Sequence, residues 1–91
     1  MKVRWTMPAA LDLRHIARHI RRDNPTAARH VAKTIFEAAN GLEEFPNRGR
    51  AGRITGTREL VFAGWPFILV YEVRRESVEI LRIYHGAQDW P

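Results

Sequence analysis

The sequence predicts an α+β domain: an N-terminal strand, an αα-hairpin, then three antiparallel strands forming one sheet with the helices packed on one face. Two observations carry this reading. The first half places apolar residues at helical spacing in two runs broken by Asp23-Asn24-Pro25, whereas the stretch from Thr57 onward falls into short, closely spaced strand-like runs separated by turn residues. Length supplies the third constraint. Ninety-one residues make a single domain, 1–91, whose core is modest, because at this size roughly 60–65% of the unfolded chain's surface can be buried.

Val3 and Trp5 alternate with Lys2 and Arg4, the period of a strand with one buried face. Thr6 then offers an oxygen cap ahead of Met7-Pro8, where a proline in the first helical turn forfeits no hydrogen bond. In the helix that follows, Leu13, Ile16, Ala17 and Ile20 recur at i, i+3, i+4 and i+7, and Arg14, Arg18, Arg21 and Arg22 line the opposite side. Pro25 cannot continue that helix but suits the start of another, with Asn24 as its cap. Along the second helix Ala28, Val31, Ala32, Ile35, Ala39 and Leu42 share a face, many of them small enough for close helix–helix approach. Phe45-Pro46 closes it.

Residues 46–56 carry three glycines and three arginines with almost nothing to bury, and read as a mobile basic loop. Strands are expected at about 58–63, 66–74 and 77–84, joined by Gly64-Trp65 and Arg75-Glu76 as antiparallel hairpins. In the middle strand Phe67, Leu69, Tyr71 and Val73 point one way, Ile68 and Val70 the other. The helices cover one side only. Either a partner covers the second face, or the first strand, the basic loop or Trp90 folds over it.

Forty-five per cent apolar residues and five prolines describe a packed domain rather than a disordered chain. There is no cysteine, hence no disulfide or thiolate site. Residues 1–5 lack the apolar run of a signal peptide, and the run from Phe67 to Tyr71 is far too short to span a bilayer, so the chain reads as cytoplasmic and off the membrane. The net charge is +5, and it is unevenly spread: residues 1–36 hold eight Lys/Arg against two acids, Asp12 and Asp23. Such a field suits a nucleic acid or an acidic protein.

The motifs for chemistry are few. His15 and His19 lie i, i+4 on a helix, yet lack a nearby carboxylate and sit among arginines, so they read as a solvated face and no metal or cofactor is expected. Gly49-Arg50-Ala51-Gly52 lacks the lysine and context of a phosphate loop. Ser77, the only serine, falls in a hairpin turn. What remains suits RNA phosphodiester cleavage, which needs a base for the 2′-hydroxyl, cations for the developing charge and an acid for the leaving oxygen. Arg58, Arg82 and the loop arginines Arg48, Arg50 and Arg53 supply charge, His85 or Glu59 a base or acid, and Tyr84 orientation. The same residues also read as packing, with Arg82 paired across strands to Glu59 or Glu79. A regular strand would put Arg82 and Tyr84 on the face of Val78 and Ile80 with His85 opposite, so a bend after Tyr84 is needed for the three to converge.

Asn24-Pro25-Thr26-Ala27-Ala28, Leu42-x-x-Phe45-Pro46-x-x-Gly49-Arg50, Thr57-Arg58-Glu59-Leu60, Val70-Tyr71-Glu72-Val73 and the closing Ile80-Leu81-Arg82-Ile83-Tyr84-His85-Gly86-Ala87-Gln88-Asp89-Trp90 occur in an order that resembles the RelE/ParE toxin superfamily of bacterial type II toxin–antitoxin modules. The likeness covers essentially the whole chain. It implies a growth-inhibiting, plasmid-stabilising toxin neutralised by a partly disordered cognate antitoxin, with which it forms a hetero-oligomer. Arg14 and Arg18 on the basic helix face, and Ile68 and Val70 on the spare sheet face, are the expected antitoxin contacts. Its target follows from which branch it resembles. ParE-like members poison DNA gyrase and are not nucleases, have a long helical hairpin as here, and end the last strand with a histidine followed by an acid, which His85 and Asp89 echo at a different spacing. RelE-like members cut mRNA on the ribosome without a metal; by position Arg58 and Arg82 match two of their arginines and His85 a histidine, but lysines that many of them carry before the second strand are absent. The resemblance leans to gyrase inhibition, with ribosome-dependent mRNA cleavage as the alternative.

Overall fold

The computed structural model describes residues 1–88 and contains two helices on one face of a five-stranded sheet. The elements are β1 (Lys2–Trp5), α1 (Met7–Arg21), α2 (Pro25–Gly41), β2 (Arg50–Ala51), β3 (Arg58–Val61), β4 (Phe67–Val73) and β5 (Ser77–His85), with sheet order β1-β5-β4-β3-β2. β1 runs parallel to β5, as a strand–helical-hairpin–strand crossover allows, and the remaining pairs are antiparallel. No helix among the described residues is long and apolar enough to cross a membrane.

The caps form as the sequence predicts. Thr6 Oγ1 accepts from Ala9 N–H at 3.3 Å and donates to Ile80 C=O at 2.7 Å, so one hydroxyl starts α1 and ties it to β5. Asn24 Oδ1 accepts from Ala27 N–H at 3.0 Å, and Pro25 opens α2. The faces hold too. Val31, Ile35, Ala39 and Leu42 of the α2 segment pack on Leu60, Leu69, Tyr71, Val78, Ile80 and Ile83 of the sheet, with Leu13, Ile16 and Ile20 of α1 half-buried against them.

Three expectations need correction. The basic loop is not an unanchored excursion: Arg50–Ala51 pair with Glu59 and Arg58 as a fifth strand, and Gly49 is buried. Tyr71, with no exposed surface, accepts from Gly49 N–H at 2.7 Å and donates to Pro46 C=O at 2.8 Å. A Cβ on Gly49 would meet the Tyr71 ring at 2.7 Å, so this close approach requires glycine.

Next, the last strand changes parity. Val70 stands opposite Arg82 and Tyr71 opposite Ile80, leaving Leu81 as a bulge. Val78, Ile80 and Ile83 therefore face the helices, and Arg82 and Tyr84 move to the other face, opposite Val70 and Ile68. The bend falls before Arg82, not after Tyr84. The carbonyls of Ile80 and Leu81 both lie within hydrogen-bonding distance of the Thr6 hydroxyl at this point.

The third correction concerns Val70 as an antitoxin contact; the spare sheet face itself is covered as one of the sequence's alternatives has it. Val70 is fully buried and Tyr84 only 4% exposed, because the basic segment folds over them: Arg53 N–H reaches Glu59 Oε2 at 3.1 Å on that face. Val70 thus has no surface to offer an antitoxin, while Ile68 is half-buried. Trp90, the other element expected to cover this face, lies outside the described residues, as does Asp89.

Candidate functional site

The residues singled out for chemistry occupy three separate places. Arg58 stands opposite Tyr71 on the helix-facing side of β3, where its Nη1 donates to Gly49 C=O at 2.7 Å and more weakly to Asn47 C=O at 3.4 Å. It closes the turn before β2. A guanidinium so engaged is a brace for backbone carbonyls that the turn leaves without ladder partners.

Arg82 lies on the other face, on β5, two strands from Glu59 in the same cross-strand row. β1 stops at Trp5, so among the described residues the edge of β5 beyond Ile80 has no neighbouring strand, and α1 supplies the missing acceptor through Asp12. Asp12 Oδ2 accepts from Ile83 N–H at 2.9 Å and from Arg82 Nε at 2.7 Å, while Oδ1 accepts from Arg82 Nη2 at 3.1 Å. This two-oxygen fork is the strong geometry for an arginine–carboxylate pair. The Asp12 hydrogen bond, more than its charge, raises the Arg82 pKa above its ordinary value, against a smaller opposing effect of burial. Arg82 was expected to pair with Glu59 or Glu79. Instead Glu79 meets Arg4, at 3.7 Å, and Glu59 meets Arg50.

Glu59 is a buried charge on the sheet face away from the helices, 2% exposed. Its Oε1 accepts from Arg50 Nε at 3.2 Å and Nη2 at 3.0 Å, and its Oε2 from Arg53 N–H. Tyr84 sits beside this group. Burial, then the Glu59 charge, push its phenol above the usual tyrosine range, with Arg53 and Arg50 pulling the other way. Arg50, Arg53, Glu59 and Tyr84 thus form one cluster, in which the Arg50 guanidinium and the Arg53 main-chain N–H are already directed at a carboxylate.

His85 faces the helices rather than the cluster. It stands opposite Phe67, ring edge to ring face with centroids 6.0 Å apart, and its Nδ1 accepts from Ala87 N–H at 3.1 Å. Parity keeps it away from Tyr84, so the bulge that brings Arg82 and Tyr84 to one face does not bring His85 with them. Arg14 and Arg18 are exposed on α1, and Arg48 is exposed beside a 430 Å³ cleft that also includes Phe45 and Pro46. Among the described residues no group of three His, Cys, Asp or Glu side chains is placed to hold a metal ion.

Two residues that matter here escaped the sequence reading. Asp12 had one signal, being one of only two acids among the eight basic residues of positions 1–36. Tyr71 had none, because its alternation with Leu69 and Val73 describes its ring and not the hydroxyl that pins residues 46–49.

Residues 3–90 match the family described as "ParE toxin of type II toxin-antitoxin system, parDE". Y4kP of Sinorhizobium fredii is 44% identical over 90 residues, covering 99% of this chain and 93% of that protein. Toxin RelE2 of Caulobacter vibrioides is 39% identical over 87 residues, covering 96% and 97%. Among solved structures, a chain of the chromosomal ParDE toxin–antitoxin system from P. aeruginosa superposes with a TM-score of 0.85 at 32% identity, over 93% of this chain and 95% of that one. A chain of the RelBE2 toxin–antitoxin complex from Mycobacterium tuberculosis gives 0.69 at 27% identity, over 96% and 92%.

Proposed function

The chain belongs to the ParE toxin family of type II toxin–antitoxin systems, and from that premise we propose that it arrests growth in the cytoplasm by binding DNA gyrase rather than by cutting RNA. One observation carries the choice. Arg58, Arg82 and His85, the residues that would have to act together on a phosphodiester, lie in three places, and each is committed to a partner within the fold. General acid–base chemistry requires donor and acceptor within hydrogen-bond reach of one reacting group. Arg58 and His85 take up opposite ends of the helix-facing side, and Arg82 turns to Asp12 at the sheet edge.

The alternative, ribosome-dependent mRNA cleavage, draws on the Arg50–Arg53–Glu59–Tyr84 cluster, in which Glu59 would serve as base and the arginines as charge, and on the likeness to Toxin RelE2. Its difficulty is chemical. A phosphate entering there would compete with the Glu59 carboxylate for the same donors, and the two anions would repel.

Pulse labelling decides between them. After induction without antitoxin, thymidine incorporation is expected to fall before amino-acid incorporation, and purified chain to inhibit supercoiling by purified gyrase. Early arrest of protein synthesis with untouched gyrase activity would move the assignment to mRNA cleavage. In that case Glu59→Gln, which removes the base of that cluster, would abolish toxicity while antitoxin binding persisted.

A further inference from the structure

The helical histidine pair, unused by any reading above, lines the cleft between α1 and the end of β5, a cavity of about 340 Å³. Its floor is apolar, from Ile16 and Ile20 of α1 with Phe67 and Ile83 of the sheet, and its rim is imidazole, from His15, His19 and His85. The floor residues are half-buried or buried and the rim residues exposed, so the cleft opens to solvent through its histidines.

The rim is built in advance. His85 is held edge-on by Phe67, and its main-chain N–H donates to Gln88 Oε1 at 2.6 Å, which ties the turn at the mouth. Because His85 Nδ1 accepts from Ala87 N–H, a neutral ring carries its hydrogen on Nε2 and remains a donor there. Asp12, the acid of the lining, spends its oxygens on Arg82 and on Ile83 N–H. Arg14 and Arg18, exposed on the opposite side of the same helix, and the +5 net charge of the chain make the surroundings basic. The cleft therefore combines an apolar floor with a donor-rich rim on a positively charged molecule, and its complement is an apolar side chain next to a carboxylate.

We infer that this cleft seats an apolar residue and an adjacent acidic residue of the antitoxin, with the carboxylate held by His15 and His19. The inference rests on the antitoxin as partner and is independent of the gyrase assignment. An acidic partner is the one that this field attracts over long range and that the imidazoles hold at short range.

The test measures binding of the purified full-length antitoxin that restores growth to cells expressing this chain. His15→Glu with His19→Glu is expected to weaken binding by about tenfold or more, since two like charges would then face the incoming carboxylate. His15→Lys with His19→Lys, which keeps donors and positive charge at exposed positions, is expected to stay within about threefold of wild type. Both double variants should arrest growth when the antitoxin is absent. Equal affinity for all three chains would overturn the inference. So would loss of toxicity in the glutamate variant with antitoxin binding intact, which would give the cleft to the target, or concentration-dependent dimerisation lost in that variant, which would give it to a second copy. A pulse-labelling result in which protein synthesis stops first would displace the gyrase reading and leave the affinity comparison decisive for the cleft.

Discussion

Asp12 and Glu59 each receive the Nε and Nη2 of one arginine together with one backbone N–H, yet they hold different kinds of structure. Asp12 lies 70 residues from Arg82 and locks a helix to the unpaired edge of β5, using both oxygens against the two guanidinium nitrogens. Glu59 lies 9 residues from Arg50 and 6 from Arg53, takes both Arg50 contacts on one oxygen, and folds a basic segment onto the sheet beside it. Burial separates them further. The Asp12 side chain keeps 15% of its surface, and Glu59 only 2%. The more buried carboxylate depends more on its partner, because a charge left without a counter-ion cannot fall back on water.

That comparison is broken or sharpened most strongly at Arg50. Arg50→Ala is expected to cost about 2–3 kcal/mol in urea unfolding, somewhat below the ~3–5 kcal/mol for breaking a fully buried pair, because Arg50 is more than half exposed and Arg53 N–H remains on the carboxylate. Adding Glu59→Gln should recover part of that loss, since an amide is cheaper to bury than an unpaired carboxylate. A double variant less stable than Arg50→Ala alone would mean that Glu59 is held by its other contacts.

At the β5 edge Asp12→Asn should cost less, about 1–2 kcal/mol, the range for losing the charge from a charge-assisted pair while an acceptor remains. Hydrogen exchange gives this site its own readout. The Ile83 amide, now protected by Asp12 Oδ2, should exchange faster in the variant while Leu69, in mid-sheet, is unchanged. Equal acceleration at both amides would show global destabilisation instead of a local latch.

The smallest effect lies at high pH and belongs to Tyr84, the neighbour of Glu59. Its phenol is raised in the folded chain, chiefly by burial, so the contribution is fully present below the ordinary tyrosine range near pH 10 and is lost as pH rises through the higher folded value. Unfolding followed from pH 9 to 11 should show a decline that Tyr84→Phe reduces. An unchanged profile in that variant would assign the alkaline loss to other groups.

How much of this was legible follows from where each contact reaches. Thr6, Pro8, Asn24 and Pro25 announce two helices because a cap is a contract among residues three positions apart, and Thr6 and Asn24 accept from Ala9 and Ala27 as that spacing requires. The 46–56 segment looked like a free loop because its residues are those of loops; what holds it is Tyr71, Glu59 and the absent side chain of Gly49, two of which belong to strands read only for their alternation. The candidate site suffered from one extra residue. Leu81 carries no mark of a bulge, and a shift of one position reverses every side chain beyond it, so Arg82 and Tyr84 were placed on the wrong face of the sheet.

Periodicity, caps and turn residues, all local in the chain, settled that this protein makes a strand, a helical hairpin and an antiparallel sheet with the helices on one face. The charge pattern, being a sum over residues, settled that residues 1–36 are basic. Only the tertiary structure decided that Asp12 completes the edge of β5, that Glu59 gathers the loop arginines, and that Arg58, Arg82 and His85 stand apart. Those outcomes turn on contacts between residues as much as 70 positions distant and on a one-residue irregularity in a strand, and a pattern of local preferences is blind to both.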